Sequence, residues 1–443
     1  MRAADLGAMR VAIWGLGREG RAAIRFLRAH HPNLPLLVLD DAADAVPPRE
    51  FAGICCAFGA EAVGRALGHI DVLVKSPGVS LYRREIETAR ANGVAVTSLL
   101  NLWFAEEPPV NTVCVTGTKG KSTTASLIAH MLGRLGRRVA LAGNIGVPVT
   151  EIDPAGADYA VIEVSSYQAA DFDGACDIAV LTSLFPEHLD WHGTLARYYR
   201  DKLNLLRHGR IAVVNRDAAP HAGLAARLFN DHAALHALDG EVFDGAVRVG
   251  EVRNRYLARP HNLSNLCAAL TVGKVLGLDP CDALAATDDF RSLPHRQQEI
   301  GEVDGVLYVD DSISTAPEST IAALDVYAGR HVTVILGGYD RGIDYAKLVA
   351  RLANGGAHAV VCLGASGGRI GTALRDSSGA PAAALARSMQ EAVDLAKRNT
   401  PAGGVVLLSP AAPSYGWYRD FAERGRDFAV KAGLAAIGVE QPR

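Results

Sequence analysis

The segment that most restricts the fold is Val113-Cys-Val-Thr-Gly-Thr-Lys-Gly-Lys-Ser-Thr-Thr124. Val113 to Val115 read as a buried strand, Gly117 and Gly120 allow a tight turn, and 122–135 reads as a helix. A helix that starts where a strand ends gathers unpaired N–H groups and the positive end of its dipole on one point, which makes an anion cradle. Lys121 adds a mobile cation for outer phosphates, and Ser122 adds a hydroxyl for magnesium. The spacing Gly-x-x-Gly-Lys-Ser is two residues shorter than the Walker A pattern. A solvated Gly/Lys turn is the competing reading, and the flanking strand and helix argue against it. The segment predicts ATP binding within a parallel sheet.

Apolar runs of four to seven residues alternate with helical patterns along the chain, as parallel α/β architecture requires. A length of 443 residues suggests about three domains at roughly 150 residues each. The first, 1–108, opens with Val11 to Trp14, continues with Gly15-x-Gly17-x-x-Gly20, and has a strand at 36–39 ending in Asp40. Pro108 and Pro109 break regular structure. The second, 109–293, holds strands at 159–164, 178–184 and 211–215, and the third, 294–443, strands at 306–309, 332–336, 359–363 and 405–408.

A net charge of −3 gives no nucleic-acid footprint, so phosphate binding must come from local groups. Seven cysteines without a C-x-x-C pair read as reduced core thiols. No apolar run approaches the roughly 18 residues of a membrane span, and the N-terminus lacks a cleavable signal pattern. A cytoplasmic protein without a membrane partner is expected.

Ligands of open parallel sheets lie beyond the carboxyl ends of the strands. Glu163-Val-Ser-Ser follows one strand, and Pro186-Glu187-His188-Leu-Asp-Trp-His192 follows another; Gly143-Asn144-Ile145-Gly146 is a glycine-bounded turn. All three are candidates for the rim that carries the phosphate loop. Glu163 suits magnesium better than a surface role, and His188 reads equally as a metal ligand or an ordinary turn histidine. Lys202, on a helix, reads first as a solvated lysine. Beside magnesium, its neutral amine could also capture carbon dioxide as a carbamate.

Gly15, Gly17 and Gly20 with Asp40 twenty residues further on match the dinucleotide fingerprint, so an NAD-dependent oxidoreductase is a competing hypothesis. A UDP group uses the same cradle. Two phosphate loops in adjacent domains point instead to an ATP enzyme acting on a nucleotide-carrying substrate. A non-catalytic nucleotide-binding regulator is a third reading, opposed by the intact metal-ligand set.

Gly117-Thr-Lys-Gly-Lys-Ser, Gly143-Asn-Ile-Gly, Glu163-Val-Ser-Ser-Tyr-Gln, Glu187-His188, Lys202, His261-Asn262-x-x-Asn265, Leu293-Pro-His-Arg296, Asp311-Ser312 and Ser409-Pro410 occur in order. Over essentially the whole chain this resembles the Mur ligases, and most closely the branch that joins glutamate to UDP-N-acetylmuramoyl-L-alanine in peptidoglycan synthesis. The shortened phosphate loop is a trait of that family. The resemblance implies a Rossmann-like UDP-binding domain, a central P-loop ATPase-type parallel sheet and a C-terminal Rossmann-like domain that receives the amino acid, in a monomer.

It also implies roles. Gly117, Thr118, Lys119, Gly120, Lys121, Ser122 and Thr123 would hold the ATP phosphates. Ser122, Glu163, His188 and a carbamylated Lys202 would form the shell of two magnesium ions. Asn262 and Asn265 would border the adenine, and Arg296 and Asp311 would reach the ribose and phosphates. Gly17, Arg18, Glu19, Asp40, Ser76, Pro77 and Gly78 would hold UDP, with Asn144 and Gln168 at the muramoyl-alanine arm. Thr315, Arg341, Ser414 and Phe421 match positions that receive glutamate. The implied reaction runs through an acyl phosphate, with domain closure keeping water out.

Ile313 and Ala316 stand where the common glutamate ligases have lysine and asparagine, Arg341 where a lysine is common, and Leu99 where glutamate is frequent. Losing a cation near a dicarboxylic amino acid should change how it is held. The blocks around His188, Asp311 and Ser409 are similar to a variant branch that adds L-glutamate, and both hands of glutamate remain open at this point. Another Mur-type or folylpolyglutamate-type ligase is the alternative within the class.

Overall fold

The parallel sheets that the alternating pattern predicts are present in a computed structural model that describes residues 1–43, 51, 53–145 and 147–434. Gly146, the last residue of the predicted Gly143 turn, and the side chain of His261 lie outside the described residues. The chain divides into two compact units, Met1–Phe290 and Arg291–Arg443.

The first unit contains two sheets. One is built from β1 (Val11–Trp14), β2 (Leu36–Asp40), β3 (Cys55–Phe58), β4 (Val72–Lys75) and β5 (Ala95–Thr97), in the order β3-β2-β1-β4-β5. All its pairs are parallel, and every residue of β1 and β4 is buried. Strands covered on both faces need uninterrupted apolar runs, which is why these segments do not alternate. The strand order reverses between β1 and β4, so a crevice opens beyond their carboxyl ends, where Gly15 and Ser76 lie.

The second sheet comprises β6 (Asn111–Thr116), β7 (Val139–Gly143), β8 (Tyr159–Glu163), β9 (Cys176–Leu181), β10 (Gly209–Asn215), β11 (Arg227–Phe229), β12 (Leu235–Leu238), β13 (Glu241–Asp244) and β14 (Val247–Glu251). Its order is β14-β13-β12-β11-β10-β9-β6-β8-β7, and only the β12-β13-β14 edge is antiparallel. β6 lies between β8 and β9, with Val115 opposite Glu163 and Thr116 opposite Leu181. The helices Lys121–Arg134 and Pro260–Val275 close one face through Leu127, Ile128, Met131, Leu266 and Leu270, and the helix Leu195–Arg207 packs on the other through Leu203, Leu205 and Leu206. Each such side chain, fully buried, contributes about 1.5–3 kcal/mol.

β9 stops at Leu181 rather than continuing to residue 184. Thr182 donates from Oγ1 to the Lys119 carbonyl at 2.6 Å, and Ser183 Oγ accepts from the Lys119 amide at 2.9 Å. The two residues leave the ladder to hold the phosphate loop. The thiols of Cys114, Cys176, Cys267 and Cys362 are buried as expected, but Cys55, Cys56 and Cys281 are exposed. All seven are free.

The second unit holds β15 (Gln298–Val303), β16 (Val306–Asp310), β17 (Val332–Gly337), β18 (Ala359–Leu363), β19 (Ala383–Ala386) and β20 (Val405–Leu408), ordered β15-β16-β20-β17-β18-β19. β15 is an antiparallel edge, and the remaining pairs are parallel. Asp310 closes β16, and Asp311 and Ser409 follow β16 and β20 at the same end of the sheet.

Candidate active site

The phosphate loop spans the gap between β6 and the helix Lys121–Arg134. Gly117 (φ 149°) and Gly120 (φ 87°) adopt conformations that L side chains rarely reach. A Cβ on Gly117 would overlap Thr182 Oγ1, and one on Gly120 would overlap Asn265 Oδ1. Thr118 Oγ1 shares a 2.8 Å hydrogen bond with the Tyr198 hydroxyl and donates to the Phe185 carbonyl at 3.1 Å. Both sides of the loop are therefore held from beneath, leaving Lys121 and Ser122 half-buried at the helix start.

Lys121 Nζ donates to the carbonyls of Gly117 and Thr118 at 2.9 and 3.0 Å. Lys202 Nζ, whose residue is 1% exposed, donates to the same Gly117 carbonyl at 2.9 Å. Burial, followed by the Lys121 charge, pushes the Lys202 ammonium well below its ordinary range, against the opposing fields of Glu187 and Glu163. A solvated helix lysine is excluded. The structure supplies a buried amine that gives up its proton more readily than a solvated lysine.

Glu163 ends β8 and is 1% exposed. Its Oε1 accepts from Asn144 Nδ2 at 2.8 Å, and its Oε2 has no hydrogen-bond partner among the described residues. A buried carboxylate oxygen without a partner is costly, and a cation is one group that would satisfy it. Gln168, predicted near the substrate arm, is 3% exposed and forms a capping box with Ser165: Ser165 N donates to its Oε1, and its own amide donates to Ser165 Oγ. That box fixes the turn leaving β8.

His188 occupies the left-handed region (φ 54°), an uncommon conformation for a side-chain-bearing residue. Burial lowers its imidazole pKa, and the charges of Lys121 and Lys202 add to this against Glu187. Burial alone would raise the Glu187 carboxyl; Lys119, 2.5 Å away, brings it below the ordinary range with help from His188 and Lys121. Lys119 is thus paired with a carboxylate. Among the described residues no cluster of three or more His, Cys, Asp or Glu forms a ready metal cage. Magnesium keeps several waters and takes substrate phosphates, so a site with few protein oxygens fits it.

Asn262 and Asn265 lie beneath the loop, 1% and 6% exposed. Asn265 donates to Asn262 Oδ1 and accepts from Thr124 Oγ1, and Asn262 donates to the Tyr256 carbonyl. These bonds join the helix Pro260–Val275 to the loop, and Thr123 is buried alongside.

At the first sheet, Asp40 accepts from the Leu16 and Ala42 amides and so fixes the turn after β1. Gly17 precedes the helix Arg18–His30. Arg18 Nη2 donates to the carbonyls of Gly143 and Asn144 at 3.2 and 2.9 Å, linking this turn to the residue that holds Glu163. Burial raises the pKa of Glu19. Ser76 donates to the Gly15 carbonyl, the Pro77 carbonyl accepts from Trp191 Nε1, and Gly78 is exposed.

In the second unit Asp311 is 2% exposed; its Oδ2 accepts from Ser314 and Ser409 at 2.6 and 2.7 Å, and its Oδ1 from the Gln297 amide. Burial pushes its carboxyl up to about 6 against these bonds. Arg296 follows Pro294 and His295, and its amide donates to the Leu293 carbonyl. Arg341 is exposed and donates to the Thr315 carbonyl at 3.2 Å. Ser414 is buried, and the Phe421 carbonyl accepts from Ser312 Oγ at 2.7 Å.

Arg424 is a residue that sequence reasoning missed: 2% exposed, it donates to Ser312 Oγ, the Ser312 carbonyl and the Ala412 carbonyl, and burial lowers its pKa to about 10. Tyr82 and Asp201 were missed as well, and Ser166 and His192 stood in the rim segments without a role of their own.

A phosphate loop on a central parallel sheet, sharing its unit with a Rossmann-like sheet, defines a nucleoside-triphosphate-using α/β protein with a second nucleotide cradle. Residues 9–98 match the Mur ligase MurD-like N-terminal domain, 115–239 the Mur ligase middle domain, and 295–412 the Mur ligase, glutamate ligase domain. Over 99% of its length the chain is 43% identical to a UDP-N-acetylmuramoyl-L-alanine--L-glutamate ligase of Xanthomonas axonopodis pv. citri (strain 306), covering 98% of that protein. It is 42% identical over 97% of its length to the protein of the same name from Salinispora tropica, covering 98% of it. Among solved structures, UDP-N-acetylmuramate-alanine ligase from Thermotoga maritima shares the fold with a TM-score of 0.61 at 20% identity, over 96% of this chain and 99% of that one. The chain belongs to the Mur ligase family, ATP-dependent, ADP-forming ligases of peptidoglycan synthesis. That membership displaces the oxidoreductase and regulator readings.

Proposed function

We propose that this protein adds L-glutamate to UDP-N-acetylmuramoyl-L-alanine, with ATP converted to ADP and phosphate. The observation that carries the chemistry is the meeting of Lys121 and Lys202 at the Gly117 carbonyl beside the unpartnered Glu163 Oε2. The hand of the amino acid rests on the relatives named for L-glutamate, together with Ile313 standing where D-glutamate enzymes carry a cation.

The phosphate-loop amides and Lys121 bind and orient the γ-phosphate for in-line attack by the alanine carboxylate. The products of that step are ADP and an acyl phosphate. Deprotonated glutamate then attacks the acyl carbon, and phosphate leaves as the amide forms. Ser122, Glu163, His188 and Lys202 are the candidate magnesium shell, and a metal held there would supply charge neutralisation for the phosphates. Lys202 fits carbamylation because the nucleophile toward carbon dioxide is the neutral amine, the form its burial favours. The carbamate would replace a buried cation by an anion. Two metal ions and a monomer complete the reading.

Arg18, Asp40 and the Ser76–Gly78 turn are the candidate UDP site, and Thr315, Arg341, Ser414 and Phe421 the candidate glutamate site. A cytoplasmic site of action belongs to the same reading. The decisive assay offers UDP-N-acetylmuramoyl-L-alanine and ATP with D- or L-glutamate separately and follows amide formation. Product with L-glutamate alone is expected; product with D-glutamate alone overturns the stereochemical assignment, and product with neither overturns the substrate.

A further inference from the structure

The helix Leu195–Arg207 buries Tyr198, Asp201, Lys202 and Leu205, positions spaced i, i+3, i+4 and i+7 on one face. A carboxylate next to the lysine on that stripe needs partners, and it has three. Tyr82 places its hydroxyl 2.7 Å from both Asp201 oxygens, His192 Nδ1 lies 2.8 Å from Oδ2, and Arg200 reaches Oδ1 at 3.3 Å. Arg200 also donates to the Tyr82 hydroxyl at 2.7 Å. His192 is 0% exposed, and its second nitrogen lies 3.1 Å from Ser166 Oγ. An Nδ1–H given to Asp201 leaves Nε2 to accept from Ser166, so a neutral ring satisfies both bonds.

Ser166 begins the short helix that follows Glu163, and Asp201 adjoins Lys202. Tyr82 lies in a turn beyond the first sheet, seven residues after β4 ends at Lys75. Further ties seat that segment. Lys75 Nζ lies 3.2 Å from Asp171 Oδ2, with both side chains buried, Trp191 Nε1 donates to the Pro77 carbonyl, and Ser80 donates to the Trp191 carbonyl at 2.7 Å. Exposed contacts of this kind would be worth little. The Asp201–His192–Ser166 bonds are buried, and buried hydrogen bonds of this kind fix geometry.

We propose that His192 and Asp201 are positioning residues of the metal shell, and that Tyr82 anchors them to the segment carrying the Ser76–Gly78 turn. This deepens the proposed function and rests on its assignment of Glu163 and Lys202 as metal-shell residues. Outer partners of this sort orient ligands without touching the ion. The path runs from Tyr82 through Asp201 to Lys202, and through His192 and Ser166 toward Glu163.

The test is a manganese titration, read by the electron paramagnetic resonance of free Mn²⁺, with a non-hydrolysable ATP analogue present. Tyr82→Phe and Ser166→Ala each remove one hydroxyl and should weaken Mn²⁺ binding severalfold. His192→Ala should weaken it about 10-fold or more, and His192→Asn, which keeps a donor for Asp201, should restore part of the loss. UDP affinity by calorimetry should not change in Ser166→Ala. Unchanged Mn²⁺ affinity in folded Tyr82→Phe and Ser166→Ala protein overturns the positioning role. Wild-type protein that takes up no Mn²⁺ with the analogue overturns the metal-shell assignment itself.

Discussion

Lys121 and Lys202 donate to one oxygen, the Gly117 carbonyl, each at 2.9 Å. Two ammonium groups converging on one acceptor under a covered loop repel one another, and the more deeply buried one is driven toward its neutral form. On the proposed reading the pair divides the labour, Lys121 serving the phosphate and Lys202 the carbamate.

Protein prepared in ¹³C-bicarbonate should therefore show a lysine carbamate carbon resonance that disappears in Lys202→Ala. Lys202→Ala should also lower kcat by about 100-fold or more, the loss typical of a missing transition-state electrostatic group. Fully active wild type without the resonance would refute the modification.

Lys121→Ala should abolish ADP formation to the level of about 100-fold loss or beyond, while calorimetric UDP binding survives. A variant that kept its ADP formation would remove the phosphate loop from the reaction.

Gly120→Ala is expected to strain a left-handed position and push against Asn265 Oδ1. The backbone component alone is about 1–3 kcal/mol. Denaturant unfolding should show the loss, and adding Asn265→Ala should return only the steric part.

Asp311 titrates near 6 in the folded unit, above its value of 3.8 in an open chain. The folded state then holds the proton more tightly, so stability from this group is present at low pH and is lost as pH rises from about 4 through 6. Ionised at pH 7, the carboxyl costs on the order of 3 kcal/mol. The Asp311→Asn melting temperature should accordingly gain on the wild type between pH 5 and 7.5. A constant difference would contradict the shift.

The buried Lys75–Asp171 pair makes a further prediction. Lys75→Met strands a carboxyl that burial already raises, and should cost about 3–5 kcal/mol. Lys75→Met/Asp171→Leu should recover most of it in thermal melts.

Much of the central rim could be read from the chain because its signals are local. Gly117, Lys121 and Glu163 sit where strands end, and a buried parallel strand announces itself by an apolar run. β9 was read too long because Thr182 and Ser183 leave the ladder for side-chain bonds to a loop some sixty residues earlier. The β13–β14 edge gave no apolar run, since most of its residues are only partly covered. Asp201 and Arg424 were hidden for a different reason, and Lys202 read first as a solvated lysine for the same one. Each is a charged residue standing on the apolar stripe of its helix, at Tyr198/Asp201/Lys202/Leu205 and at Arg424/Gly425/Phe428. A charge in phase with a buried face is the signal that would have found them. Of the partners of Asp201, Tyr82 comes from a distant segment and leaves no such mark.

The ties from Arg18 to Asn144 and from Tyr82 to Asp201 hold the turns that follow the first sheet against the sheet that carries the phosphate loop, within a single unit. Such a frame acts as a ruler. On the proposed reading, with the uridine end held at the first sheet, only an arm of the right length would bring its terminal carboxylate to the phosphate loop. Acceptors one amino acid shorter or longer would then be refused by reach, before any side chain is inspected.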